Sequence, residues 1–182
     1  MVRLPEGIYV GHAQNERTGV TVILAPDGAV GGVDVRGGAP GTRETALLAP
    51  EKTVERINAV VLTGGSAYGL ESCCGVMNFL REHGKGFPMG DKIVPCVCGA
   101  VIYDLSGDGY VYPDMRMGYT ACENAMQSSP TWGSVGCGKG ATVGKVLGPQ
   151  FADKGGIGAY TVSIGDVFVT AVVAVNACGD VY

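Results

Sequence analysis

Three polar side chains stand in apolar surroundings, and each is of a type that can assist acyl chemistry. Asn176 closes the run VFVTAVVAVN. An amide there must find hydrogen-bond partners or cost roughly 1–3 kcal/mol. It can tie down a neighbouring loop, or it can aim an N–H donor at a developing oxyanion. Tyr103, within AVIYDL, and Lys145, within GATVGKVLG, pose the same choice. A buried Tyr needs a partner for its hydroxyl, and burial lowers a Lys pKa toward neutrality, where it can take or orient a proton. A Lys that reaches solvent does neither. Taken singly, each of the three also suits a purely structural role.

A further candidate is the turn Gly64-Gly65-Ser66 inside AVVLTGGSAYGLESCCGVMNFLREHG, residues 59 to 84. Free N–H groups where a turn enters a helix, aided by the helix dipole, can hold an anionic or polar group of a substrate. The same glycines can simply make the turn. A nucleophile elbow is excluded, since Tyr68 stands where G-x-S-x-G needs its last glycine. A Walker A loop is excluded around Gly144-Lys145, because Lys139 occupies the first glycine position and Val146 replaces the Ser or Thr. Gly136, Gly138 and Ala141 satisfy a loose G-x-G-x-x-A, but no convincing strand precedes them.

The elements that must position these residues follow from periodicity. Ala59 to Leu62 read as a buried strand, and Leu70, Cys73, Cys74, Met77 and Leu80 as the apolar face of a helix that Gly84 stops. Residues 19–26 and 29–37 read as two strands joined by Asp27-Gly28, and 38–53 as a loop. Residues 95–106 read as another buried strand. Asp114 is placed to cap a second helix, with Met117, Ala121 and Ala125 four apart. Two long strands flank Gly165-Asp166, the second carrying Asn176, and a further strand is expected to begin after Gly179-Asp180. The class is α/β or α+β with a largely antiparallel sheet.

Composition narrows the function. With 182 residues and 46% hydrophobic content the chain suffices for a single domain, 1–182. Its 31 glycines are about 17% of the chain against a typical ~7%, which implies many turns and close backbone contacts. The 13 basic and 17 acidic residues give a net charge of −4 without a basic cluster, which argues against nucleic acid as a partner. No apolar run approaches a membrane span, and no signal-peptide core opens the chain. The seven cysteines form no C-x-x-C pair, so no metal site is expected, and their odd number points to a reducing, cytoplasmic setting.

The strings VDVRGGAPGTRET, AVVLTGGSAYGLE, GVMNFL, AVIYDLSGD, GATVGKVLG, KGGIGAY and AVVAVNACGDV resemble, in order and spacing, the DmpA-like hydrolases. That family includes L-aminopeptidase/D-amidase-esterases, β-peptidyl aminopeptidases and nylon-oligomer hydrolases. The resemblance implies a four-layer αββα sandwich, shared with ornithine acetyltransferases, and a precursor that cleaves itself into α and β chains. It also implies an N-terminal Ser or Thr nucleophile on the β chain, whose own amine can act as base. No cofactor is implied. These 182 residues are then expected to be most of an α chain, with the nucleophile on a β chain from the same precursor, outside this sequence.

By the same resemblance Asn176 matches the amide that polarises the substrate carbonyl, Tyr103 a hydroxyl facing the nucleophile, and Lys145 a lysine near the cleavage site. Gly64, Gly65 and Ser66 are expected to bind substrate. The aminopeptidase branch has an acidic residue two before the tyrosine, where this chain has Val101, so a free-amine substrate is disfavoured. A small amide or peptide substrate and a homotetramer of αβ units are expected. Acyl transfer of the ornithine-acetyltransferase type, and a non-catalytic small-molecule binding protein, are the alternatives.

Overall fold

The chain forms β1 (Tyr9–Gln14), β2 (Gly19–Ala29), β3 (Thr42–Arg43), β4 (Ile57–Thr63), α1 (Ser72–Glu82), β5 (Phe87–Met89), β6 (Lys92–Val94), β7 (Val97–Val101), α2 (Met115–Gln127), β8 (Thr142–Val143), β9 (Asp153–Lys154), β10 (Ile157–Ile164) and β11 (Val167–Ala174). The structure, a computed structural model, describes residues 2–179. The strand expected after Gly179-Asp180 lies outside the described residues.

Five strands make the main sheet, in the order β1-β2-β4-β7-β3. Its neighbours are antiparallel except β4 and β7, which run parallel and are separated in sequence by α1 and the small β5–β6 hairpin. The class is thus α+β with mostly antiparallel sheets, as the sequence predicts. Along β2 and β4, alternate residues Val20, Val22, Leu24, Ala59 and Val61 point to one face, where Cys73, Val76, Leu80, Ala121 and Cys122 of the two helices meet them. Burying a side chain such as Leu80 stabilises the fold by about 1.5–3 kcal/mol.

The helices cross closely because each presents a glycine to the other's backbone. A Cβ at Gly75 would overlap the Met115 carbonyl, and one at Gly118 the Ser72 carbonyl. Gly84, at φ 67, ends α1 as expected, with Lys85 N–H on the Leu80 carbonyl at 2.8 Å and Gly84 N–H on the Arg81 carbonyl at 3.0 Å. Asp114 caps α2 by accepting from Met117 N–H at 2.8 Å.

Several expectations change. The strand expected over 95–106 is shorter, β7 ending at Val101. The Asp27-Gly28 pair does not turn the chain into a second strand. β2 continues to Ala29 through a bulge, advancing from Leu24 to Ala29 while β4 moves only from Ala59 to Ile57, with Gly28 at φ 83. Residues 30–37 carry no strand, and the 38–53 loop holds β3 and a 3-10 turn, Thr45–Leu48. α1 buries Cys73 and Leu80 as expected, with Leu70 and Met77 packed partly buried on the same core, but Val76 and Phe79 are buried there and Cys74 lies only half-buried. β1, not anticipated, pairs with β2 from Tyr9↔Leu24 to Gln14↔Gly19.

The described cysteines are all free thiols. Burial pushes Cys73 and Cys98 up to about 11, and Cys122 and Cys137 up to about 12, so at neutral pH they are protonated and pack as small hydrophobes. On the sheet face away from the helices, His12 Nδ1 shares a hydrogen bond with Thr21 Oγ1 at 2.9 Å, and that hydroxyl accepts Cys137 N–H at 3.0 Å. The pair holds the turn Gly136–Gly138 against β1 and β2. Trp132 packs edge-on to the His12 ring, and burial lowers the His12 pKa.

β10 and β11 form a separate two-stranded hairpin, paired from Ile157↔Ala174 to Ile164↔Val167 around a turn at Gly165. Its base joins the rest through Ile157, Ala174 and the bridge to Gly133. Arg3 crosses it, with its guanidinium 4.0 Å from the Phe168 ring centre and its backbone N–H on Thr161. Along the outer half of the hairpin large apolar side chains are bare, Tyr160 at 73% and Ile164 at 77% exposure.

Candidate active site

Beyond the C-terminal end of β7 the chain passes through Ile102, Tyr103 and Asp104. Ile102 extends the strand in all but name: its N–H donates to Thr63 at 2.9 Å, and its carbonyl accepts from Ser66 N–H at 3.0 Å. Tyr103 then turns its ring outward, 63% exposed, with no hydrogen bond to its hydroxyl among the described residues. Its backbone N–H donates to Asn176 Oδ1 at 2.9 Å.

That bond orients the amide. A backbone N–H can only donate, so the atom it meets must be the amide oxygen, and Nδ2 is left as the free donor end. Nδ2 has no partner among the described residues. Asn176 does not lie on a strand as expected: β11 ends at Ala174, and Asn176 sits exposed two residues further on. It lines a cleft of 340 Å³ with Val60, Cys98, Val101, Gly41 and Leu48. Asp34 and Arg36, the charged residues of its wall, pair with each other at 2.6 Å.

Lys145 joins this cluster through the backbone. Its N–H donates to Cys178, and Gly144 N–H to Gly179, both at 2.8 Å, which moors the Lys145 turn beside the segment that follows Asn176. Half-buried, its ammonium donates to the Thr142 carbonyl and to Thr142 Oγ1 at 2.9 Å, with no carboxylate within ion-pair distance among the described residues. The structure therefore brings Tyr103 and Asn176 into direct contact and ties the Lys145 backbone to Cys178, two residues beyond Asn176.

The Gly64-Gly65-Ser66 turn has its N–H groups engaged within the chain. Gly64 N–H donates to Gly19 at 2.9 Å, Gly65 N–H to Asp104 Oδ1 at 2.5 Å, and Ser66 N–H to Ile102. The anion cradle that the sequence allows is thus closed by the protein's own acceptors. What the turn still offers a substrate is the Ser66 hydroxyl, on a residue at φ 53 immediately after Gly65 at φ 78. A non-glycine residue held in that region is strained, a condition that concentrates at functional sites.

Asp104 is the residue that sequence reasoning missed. It is 7% exposed, and its other oxygen, Oδ2, accepts from Thr18 Oγ1 at 2.7 Å. A Cβ at Gly64 or at Gly140 would overlap this carboxylate, so both glycines are there to admit it. One buried side chain thereby gathers the β1–β2 turn, the Gly64-Gly65 turn and the loop leading to Lys145 around the segment that carries Tyr103. The available signal was an acid directly after the apolar run AVIY.

Against known proteins, residues 6–181 match the description of peptidase family S58. An uncharacterized aminopeptidase of Mycobacterium leprae is 46% identical over 194 residues, covering 96% of this chain and 52% of the relative. A 6-aminohexanoate-oligomer endohydrolase of Kocuria sp. is 38% identical over 176 residues, covering 95% and 47%. The chain spans about half the length of the curated relatives it matches. Among solved structures, a Burkholderia sp. beta-aminopeptidase superposes with a TM-score of 0.64 at 23% identity, over 93% of this chain and 50% of that one, and so shares its fold. By sequence and fold together, this chain belongs to peptidase family S58, the DmpA family that its motifs resemble.

Proposed function

We propose that this chain is the α-chain part of a self-processing amide hydrolase whose N-terminal Ser or Thr nucleophile lies on a β chain of the same precursor. The observation that carries the reading is the Asn176 amide, its oxygen fixed by Tyr103 N–H and its Nδ2 without a partner among the described residues at the edge of the cleft. In this reading Nδ2 donates to the carbonyl oxygen of the bound amide as negative charge develops there. The Tyr103 hydroxyl is the second donor. The nucleophile's hydroxyl adds to the carbonyl carbon, the C–N bond breaks, and the departing amine takes a proton. Water then releases the acyl group from the enzyme. Lys145 stands beside this step as a proton donor or orienter, its ammonium held by Thr142 rather than by a carboxylate.

The printed names of the relatives, aminopeptidase and 6-aminohexanoate-oligomer endohydrolase, favour an amide or peptide bond as the one cleaved. The cleft wall beside Asn176 is apolar at Val101, which favours a neutral acyl group over one with a free α-ammonium. Ser66 would bind substrate through its hydroxyl. The reading includes a homotetramer of αβ units in the cytoplasm; among the described residues no helix is long and apolar enough to cross a membrane.

Intact-mass measurement of the full precursor tests the processing, with two fragments split before a Ser or Thr expected. Substitution of Asn176 by Ala should lower turnover of a chromogenic amide by roughly 10²–10³, the scale for loss of one oxyanion donor. A rate equal to wild type, or a precursor that stays whole and active, overturns the proposal.

A further inference from the structure

On the helix-covered side of the sheet edge, away from Asn176, a second cavity of 440 Å³ opens between β3, α1 and the β5–β6 hairpin. Its volume falls within the ~300–1,000 Å³ of small-molecule sites. Leu47, Val54, Met77, Phe87, Val94 and Val97 are among its apolar lining residues. Arg43 is the one basic residue of the lining, beside the exposed Glu44 and Thr53. Because β3 alternates sides, Thr42 faces the cleft with Asn176 while Arg43 faces this one.

The hydrogen bonding of Arg43 is unusual. Half-buried, its guanidinium donates NH1 to Cys74 Sγ and NH2 to Met77 Sδ, each at 3.1 Å, and makes no ion pair among the described residues. Sulfur is a weak acceptor, and a guanidinium has five N–H donors arranged to match a carboxylate. Charge-assisted bonds to a carboxylate are the stronger ones, and apolar walls suit a hydrocarbon tail.

We propose that this cavity binds a small monocarboxylate with an apolar tail, its carboxylate on Arg43 and its tail along Met77, Phe87 and Val94. The site is separate from the cleft at Asn176, and its occupancy does not depend on how that cleft works.

The test titrates the protein with hexanoate, hexanol and hexylammonium by calorimetry, and follows methionine methyl signals by NMR. Hexanoate should bind saturably and more tightly than hexanol, and should move the Met77 and Met89 methyl signals while Met117 and Met126 stay still. Arg43→Met should weaken hexanoate binding about tenfold or more and leave hexanol binding little changed. Hexanol or hexylammonium binding as tightly as hexanoate overturns the proposal, as does a hexanoate response that leaves Met77 unmoved. The methyl signals of the wild-type protein decide the matter even if the Arg43 variant folds poorly.

Discussion

Replacing Asp104 by Ala should destabilise the protein by about 2–4 kcal/mol. The carboxylate accepts from two buried donors, Gly65 N–H at 2.5 Å and the Thr18 hydroxyl at 2.7 Å. Removing it leaves both without an acceptor, at about 1–3 kcal/mol each. The gain from no longer burying a charge offsets part of that loss. Asp104→Asn keeps an oxygen for Gly65 N–H and sets an NH2 against Thr18, whose hydroxyl can rotate to accept, so its cost should be nearer 1 kcal/mol. Urea unfolding measures both, the midpoint shifting while the slope stays constant. In a double-mutant cycle, Thr18→Val combined with Asp104→Ala should show a coupling of about 1–2 kcal/mol. If Asp104→Ala unfolds within about 0.5 kcal/mol of wild type, or the cycle shows additivity, Asp104 does not hold these segments together.

Other outcomes follow from the same geometry. Gly118→Ala puts a methyl group into the Ser72 carbonyl and should cost about 1–3 kcal/mol; an unchanged melting temperature would mean that α1 and α2 are free to separate. Because burial lowers the His12 pKa in the folded state, the unfolded chain takes up the proton first. Stability should therefore decline as pH falls below about 6.5, and His12→Gln should remove that component of the slope in urea midpoints measured between pH 7.5 and 5.5. Lys145→Met should impair self-cleavage or amide turnover with the fold intact by circular dichroism. Normal processing together with normal turnover would reduce Lys145 to a structural tie on Thr142.

The elements read well from sequence where local pattern and tertiary packing agree. The β4–turn–α1 unit, the stop at Gly84 and the cap at Asp114 each depend on a few adjacent residues, and each stands in the structure. The pattern misled where one local signal had two outcomes. Asp27-Gly28 can close a hairpin or seat a bulge, and pairing with β4 decides for the bulge. The face of α1 is wider than the stripe read from sequence, since Val76 and Phe79 are apolar too and share the core side with Cys73 and Leu80. The Gly64-Gly65-Ser66 turn reads as a donor cradle until its acceptors are known, and these come from the distant Gly19, Ile102 and Asp104. Asp104 itself bonds to groups 86 and 39 residues away, a separation that no short-range pattern encodes.

The β10–β11 hairpin carries a cost in solution behaviour. A two-stranded ribbon is marginal by itself, and its outer edges present unpaired backbone groups to any similar strand. Natural edges are usually defended by lysine, proline or an inward charge, yet between Ile157 and Ala174 the sole charged residue is Asp166, in the turn. With Tyr160, Val162, Ile164, Val167 and Val169 bare along it, this ribbon is the part of the chain most prone to cross-pair with its own kind. Preparations of these residues alone should therefore precipitate through the hairpin first, and lysines placed at Val162 and Val169 should keep them dispersed.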